Sequence, residues 1–199
     1  MLETPAENAP DRRPAILVCV YEADDPALAA LDDPAGAPWN PAGARTLPVG
    51  HDDPAVLADR IRDELNQTDC RAVLLVGRTR RSDAFRIQMR AENRTLTGGG
   101  KLTVTGPAMA RATAPVAEMV RALNDAGLNA DATSDSEDDA GSYLLYRVLT
   151  ALPDDADVAA VGLLRAPASL DNESLRRGVQ TAAATMARHL SPLPRARLA

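Results

Sequence analysis

Two nearly continuous apolar runs of strand length stand in the first half of the chain. They are "AILVCVY", from Ala15 to Tyr21, and "RAVLLVG", from Arg71 to Gly77. Such runs are typical of strands that are covered on both faces of a sheet. Between them, "PAVLADRIRDELNQ" has apolar residues at helical spacing behind Pro54, a residue type that favours the first turn of a helix. The pattern predicts a β-α-β unit with parallel strands.

Strict alternation of apolar and polar residues follows in "FRIQMRAEN", from Phe85 to Asn93. This period of two predicts one half-exposed strand with Gln88 on its polar face. On that face Gln88 is as consistent with contact to solvent as with a place in a site. The next segment, "TGGGKLTVTG", predicts a loop with room for a short strand. It does not form a phosphate loop, because Thr95 and Leu102 stand where such a loop requires Gly and Ser or Thr.

Helices and strands alternate through the rest of the chain. The pattern predicts a helix from Pro115 to Ala126 closed by Gly127, a strand in "LNADATS", an acidic turn "SEDD", a helix from Ala140 to Leu152 stopped by Pro153, a strand from Val158 to Leu164, and a last helix with Asp171 or Asn172 as N-cap. The order β-α-β-β-α-β-α-β-α predicts an α/β protein with three α/β/α layers and a mainly parallel central sheet, of the phosphorylase/hydrolase type. In such sheets a site lies beyond the carboxyl ends of the strands.

Length and composition fit one globular domain. The chain has 199 residues, of which 45% are hydrophobic, so we expect a single domain over residues 15–190. The polar, proline-rich residues 1–14 predict a disordered arm, and residues 191–199 predict a flexible tail. Cys19 and Cys70 lie in or beside predicted buried strands, and no secretory signal or membrane-length apolar segment is present. Reduced thiols and a cytoplasmic location are therefore expected.

Charge and motifs remove several function classes. A net charge of -6 opposes nucleic-acid binding, and we expect no membrane contact. The two histidines, His51 and His189, have no partners at the spacing that a metal site or catalytic triad requires. The chain also lacks the Gly-x-Ser-x-Gly, His-Glu-x-x-His and Cys-x-x-Cys motifs. We therefore expect no metal and no cofactor.

Four collinear segments resemble the pyroglutamyl peptidase I (pyrrolidone-carboxylate peptidase) family between Ile16 and Ala187. "ILVCVYEAD" is similar to the family's ILVTGFEPF, with "WNP" at Trp39 to Pro41 matching the Asn-Pro that follows. "VGRTRRSDAFRIQMRAEN" resembles the family segment that contains IRLERVAIN. "GPAMARATAPVAEMVRALNDAGLNA" aligns without a gap to GPAAYFSTLPVKAMVEALREAGIPA. "VGLLRAPASLDNESLRRGVQTA" is similar to the family's GFIHVPY strand and SLDDIVRGIEAA helix.

The resemblance implies the fold of cytosolic cysteine peptidases that release N-terminal pyroglutamate, but their catalytic triad is absent. The family's Glu falls on Gln88 and its His on Arg165. Its Cys falls on Leu145, in a helix start matched by Ala140, Gly141 and Tyr143. Leucine is no nucleophile, arginine stays protonated, and glutamine carries no charge to hold an imidazolium. The resemblance therefore implies a catalytically inactive member, a pseudoenzyme that serves as a binding or regulatory module.

The pocket for the lactam ring is altered too. By resemblance it involves Tyr21, Glu22 and Asp24, and Asp24 replaces a phenylalanine of the family. Arg165 can clamp the carboxylate or phosphate of a ligand, or it can pair with Asp138 or Asp139. A peptide or a small acidic molecule is then the expected ligand. Members of the family tend to oligomerise, so the resemblance also implies a homo-oligomer.

Two other interpretations stay open at this stage. Leu145 is explained by core packing alone, because it shares helical spacing with neighbouring leucines and Val148. The alternative function is a hydrolase of the same family that releases pyroglutamate or a related group through a rearranged site. Ser142 could serve there as nucleophile, although no motif supplies a general base beside it. Cys19 is a poor candidate, because a thiol buried within a strand is inert.

Overall fold

A computed structural model describes residues 14–22, 25, 45–48, 52–67, 70–97, 100–152 and 159–190. The strands in these ranges are β1 (Ala15–Val20), β2 (Arg45–Pro48), β3 (Cys70–Thr79), β4 (Phe85–Gln88), β5 (Arg90–Glu92), β6 (Met109–Arg111), β7 (Ala130–Thr133) and β8 (Ala160–Pro167). The helices are α1 (Pro54–Gln67), α2 (Val116–Asp125), α3 (Ala140–Thr150) and α4 (Asn172–Leu190). Asp24, Trp39 to Pro41, His51, the predicted tail and all of the predicted arm except Pro14 lie outside the described residues, and the predicted domain bounds stay predictions.

The main sheet has the strand order β2-β1-β3-β8-β4-β7. The first four of these strands run parallel to one another. β4 is antiparallel to β8, and β7 is parallel to β4. The predicted α/β class with a mainly parallel sheet is confirmed, and the carboxyl ends of β1, β3 and β8 lie side by side at one edge of it.

Helices cover both faces of this sheet. On one face α2 and α4 pack against each other over an apolar cluster that includes Phe85, Ile87 and Met186. On the other face α1 and α3 pack over a second cluster that includes Leu75 and Leu145. Because both faces are covered, β3 and β8 are buried along almost their whole length, as their continuous apolar sequences predict. The result is the predicted three-layer arrangement.

Most helix limits follow the local sequence signals. α1 begins and ends at the predicted residues. Gly127 after α2 has φ of 73°, the left-handed conformation that glycine adopts at a helix C-terminus. Asp171 caps α4, since its carboxylate accepts a hydrogen bond from the backbone N–H of Ser174 at 2.8 Å. α3 ends at Thr150, two residues earlier than predicted, and β8 continues to Pro167 rather than Leu164.

The segment from Phe85 to Asn93 is not one strand, as its alternation predicted. The chain leaves the main sheet at Met89, whose side chain is 38% exposed, and continues as β5 in a separate two-stranded sheet with β6. The backbone N–H of Met89 still donates to Thr133, while its carbonyl accepts from Ala112. Met89 thus joins the two sheets, and Gln88, predicted on the polar face, is fully buried.

Two short strands have no clear signal in the sequence. β2 is four residues long and ends in proline, and β6 has three residues. The described residues 100–106, where a short strand was allowed, contain none. Strands this short carry too few alternating positions for a period to be detected, so their pairing depends on the strands beside them.

Candidate functional site

A buried polar cluster lies at the carboxyl ends of β1, β3 and β8, on the face that α3 covers. Arg165 comes from β8 and Tyr21 follows β1 directly. Gln88 is the last residue of β4, next to β8. These three residues are remote in sequence, yet the sheet brings their side chains into contact. The site is therefore located where the parallel sheet predicts it.

Arg165 is the centre of this cluster, and its side chain is 0% exposed. A guanidinium has five N–H donors, and Arg165 makes five hydrogen bonds to protein groups. Nε donates to Gln88 Oε1 at 3.1 Å, Nη1 to Tyr21 Oη at 3.2 Å and to Asp139 Oδ2, and Nη2 to Asp139 Oδ1 at 2.8 Å and to Ser142 Oγ at 3.0 Å. No donor of Arg165 is left for an external anion in this conformation.

Asp139 has two roles at the start of α3. Its Oδ1 accepts the backbone N–H of Ser142 at 2.9 Å and so caps the helix, which relieves one of the unpaired donors of the first turn. Both of its carboxylate oxygens also bind Arg165, in the bidentate geometry that guanidinium and carboxylate favour. Of the two expected alternatives for Arg165, the structure contains the pair with Asp139. A ligand role for Arg165 stays a prediction.

A second carboxylate and a hydroxyl extend the cluster toward β3. Glu137 Oε1 lies 3.7 Å from Arg165 Nε and accepts a hydrogen bond from Thr79 Oγ1 at 2.9 Å. Burial lowers the pKa of Arg165, but the hydrogen bond to Asp139 and the nearby charges of Asp139 and Glu137 raise it above its ordinary value. Arg165 therefore stays protonated and cannot accept a proton from a nucleophile.

Tyr21 fills the space between β3 and α3. Its ring lies so close to Gly77 and Gly141 that a Cβ at either glycine would overlap it. Its hydroxyl accepts from Arg165, and its pKa is raised well above the ordinary value, chiefly because burial disfavours the phenolate. The requirement for glycine at both positions thus comes from the approach of this ring.

Glu22, the next pocket residue expected from the resemblance, faces another part of the strand edge. Its Oε1 accepts the backbone N–H of Arg78 at 3.1 Å. Arg78 in turn donates to Asp25 at 2.6 Å and to the carbonyl of Pro167 at 3.0 Å. These bonds connect the ends of β1, β3 and β8. Glu22 therefore has a structural partner in the backbone of β3.

The three positions aligned with the catalytic triad are partly brought together. Gln88 and Arg165 form a direct hydrogen bond, while Leu145 is buried in the apolar cluster under α3, as core packing predicts. Ser142 lies one helical turn before Leu145 and contacts both Gln88 and Arg165. Its Oγ accepts hydrogen bonds from Gln88 Nε2 at 3.1 Å and from Arg165 Nη2 at 3.0 Å. The resemblance placed Tyr21 in the pocket, but the sequence offered no sign that Thr79 or Glu137 joins this network, apart from the acidic turn that contains Glu137.

A narrow cleft borders the network on its outer side. It is lined by Glu92, Arg94, Leu96 and Tyr143, and by the acidic residues 137–139. Its volume is about 10 Å³, close to the minimum that holds one water molecule. A five-membered lactam ring does not fit in this space without movement of the residues around it.

Metal and membrane features can be judged for the described part of the chain. Those residues include no group of three or more His, Cys, Asp or Glu side chains placed to hold a metal ion. Cys19 and Cys70 are both buried and not joined by a disulfide. Among the helices described, none has both the length and the apolar character to cross a bilayer.

Solved pyroglutamyl peptidases have the same fold as this chain. The pyroglutamyl peptidase I of Bacillus amyloliquefaciens superposes with a TM-score of 0.71 at 15% identity, over 91% of this chain and 100% of that one. The pyrrolidone carboxyl peptidase of Thermus thermophilus gives 0.67 at 19% identity, over 85% and 99%. A mutant pyrrolidone carboxyl peptidase from Pyrococcus furiosus gives 0.75 at 14% identity, over 89% and 100%. No family profile and no curated protein sequence matches the chain.

Proposed function

We propose that this chain is a pyroglutamyl-peptidase-like protein that has lost peptidase chemistry and acts as a binding or regulatory module. The shared fold and the four collinear sequence segments support the relationship. We infer the absence of the activity from one observation: Gln88 and Arg165, which align with two of the family's catalytic residues, bind each other inside a buried network. That network contains no cysteine to serve as nucleophile and no histidine to serve as its base.

The geometry of the cluster supports this proposal over a rearranged hydrolase. A nucleophilic serine needs a neighbouring base and access to substrate. The Ser142 side chain is buried and receives N–H groups from Gln88 and Arg165. The carboxylate of Asp139 is held by Arg165 and is therefore engaged elsewhere. His189 lies on α4, across the sheet from α3.

A fluorogenic pyroglutamyl amide tests the proposal directly. We expect no turnover above the rate without protein, and no change in the variant Cys19→Ala/Cys70→Ala. Hydrolysis that is abolished by thiol alkylation would overturn the proposal. Hydrolysis that persists in the double cysteine variant but is lost in Ser142→Ala would instead establish the rearranged site.

The proposed module has a peptide or small acidic molecule as its ligand and the cytoplasm as its expected location. Self-association is the remaining expectation from the resemblance. Gel filtration with light scattering decides it, because the mass of one chain is 21.0 kDa. A stable homo-oligomer gives a whole-number multiple of that mass at every protein concentration measured.

A further inference from the structure

We propose that residues 134–139 form an internal strap whose Asp139 carboxylate occupies an anion-binding cradle on Arg165. A free carboxylate ligand then binds to Arg165 only in competition with this strap, which makes the contact autoinhibitory. The proposal rests on the binding role inferred above and adds the class of the ligand and the control of its access. It concerns binding alone, so it can fail while the proposal of lost peptidase chemistry stands.

The strap connects β7 to α3 and contains neither helix nor strand. Arginine side chains hold it on several sides. Arg90 donates to the carbonyl of Ser134 at 2.7 Å, and Arg94 donates to Asp138 at 3.0 Å. Arg81 lies 3.9 Å from Glu137. The strap is thus an acidic segment held chiefly by guanidinium groups, and its attachment is electrostatic rather than apolar.

The cradle beneath the strap is built from residues that lie outside the strap. Arg165 and Gln88 belong to strands of the main sheet, Tyr21 follows β1, and Ser142 is in the first turn of α3. All four side chains are buried. A planar carboxylate placed against Nη1 and Nη2 of Arg165 receives two parallel hydrogen bonds, which is the geometry by which arginine recognises carboxylates.

The outer contacts of the strap are the weaker ones. The side chains of Arg94 and Asp138 are 57% and 65% exposed, and ion pairs of this kind contribute little and are screened by salt. Asp139 itself is 29% exposed, so solvent contacts part of its side chain. The adjoining cleft of about 10 Å³ is too small for a second carboxylate while the strap is in place. A competing carboxylate therefore reaches Arg165 only when the strap moves away, and the strap itself contains no strand of the main sheet.

The variant Asp139→Ser separates the cradle from its internal ligand. Serine keeps a good N-cap for α3, while it removes the carboxylate and leaves room above Arg165. We expect the melting temperature of this variant to rise by about 5 °C or more between 0 and 100 mM sodium acetate, relative to sodium chloride at equal ionic strength. In the wild type the tethered carboxylate competes at a high effective concentration, so acetate should bind at least about tenfold more weakly.

Two controls use the same strap and the same cradle. Asp138→Ser removes an exposed carboxylate one residue away and should show no response specific to acetate. Asp139→Ser/Arg165→Met removes the guanidinium and should lose the response of the single variant. The proposal is overturned if Asp139→Ser responds equally to acetate and chloride, if it does not fold in either salt, or if the wild type binds acetate as tightly as the variant.

Discussion

The two faces of the main sheet are built from the same strands but are stabilised in different ways. Leu164 and Arg165 are neighbours in β8 and both are fully buried, yet their side chains lie on opposite faces. Leu164 packs in the apolar cluster under α2 and α4. Arg165 binds the polar groups beneath α3. The face under α2 and α4, called here the apolar face, depends on volume and shape. The face under α3, called here the polar face, has its own apolar cluster and in addition a network that depends on the presence of every partner.

Removal of Arg165 should have the largest effect on the polar face. Arg165→Met retains an apolar stem of similar length but leaves Asp139, Glu137 and Gln88 without their cation. We expect a loss of roughly 3–5 kcal/mol in the free energy of unfolding, because breaking a buried ion pair leaves a charge uncompensated. Urea denaturation followed by circular dichroism measures the loss.

The double variant Arg165→Met/Asp139→Ser is the matched control for this prediction. It removes both charges of the pair and keeps the helix cap, so it should recover part of the stability that the single variant loses. A single variant as stable as the wild type would show that the network contributes nothing to the fold.

A pair of glycine substitutions compares the fit of the two faces directly. Gly178→Ala forces a methyl group against the ring of Phe85 on the apolar face, and Gly77→Ala does the same against Tyr21 on the polar face. Each should cost about 1–3 kcal/mol through overpacking. Gly77→Ala should in addition disturb Arg165. Combination with Tyr21→Phe should relieve only the overlap with the hydroxyl, because Cζ and Cε1 of the ring lie 2.1 and 2.7 Å from the added Cβ.

Thermal denaturation of Gly178→Ala, Gly77→Ala and the double variant Gly77→Ala/Tyr21→Phe checks this prediction. Gly100 provides a control, since a Cβ there meets no atom of the described residues within 4 Å, and Gly100→Ala should leave the melting temperature near that of the wild type. Equal stability of Gly178→Ala and Gly100→Ala would contradict the close contact with Phe85.

Tyr21 gives the polar face a dependence on alkaline pH that the apolar face lacks. Its pKa is raised in the folded protein because burial disfavours the phenolate, so the folded state holds this proton more tightly than the unfolded state does. The resulting stability is complete below about pH 10, the ordinary pKa of tyrosine, and is lost as the pH rises toward the folded value. We expect wild-type stability to fall above about pH 10.

Tyr21→Phe tests that dependence. At neutral pH the variant loses one hydrogen bond from Arg165 and about 1 kcal/mol, but its stability should decline less steeply at alkaline pH. The absorbance of ionised tyrosine is followed in the wild type and the variant, together with circular dichroism. The difference between the two proteins reports Tyr21, which should ionise only as the wild type unfolds. Ionisation of all three tyrosines in the folded wild type contradicts the burial of Tyr21.

The smallest effect is expected at the exposed pair of Arg94 and Asp138, which lies a few residues from the buried pair of Arg165 and Asp139. Asp138→Asn should change stability by less than about 1 kcal/mol, and less still at high salt. Urea denaturation of the wild type and the variant in 0.05 M and in 1 M sodium chloride measures this change in stability. A change as large as that of Arg165→Met would mean that exposure does not distinguish the two pairs.

Prediction from the sequence succeeded where a signal is local. Each successful signal occupies only a few consecutive residues. Examples are the apolar runs of β1 and β3, the helical spacing in α1 and the glycine after α2. It failed at Met89, where the alternation of the segment continues although the chain passes to another sheet. The alternation of apolar residues is the same on both sides of Met89, because Phe85 and Ile87 before it and Ala91 after it are all buried.

The amino-acid sequence by itself predicted the α/β class and the burial of Leu145, both of which the structure contains, and its resemblance to a peptidase family singled out Gln88 and Arg165. Only the tertiary structure decided what Arg165 does. The hydroxyl that it binds on Tyr21 lies 144 positions away in the chain. Periodicity records which residues are buried, but it does not record which buried polar groups meet, because that depends on the order in which the strands pair.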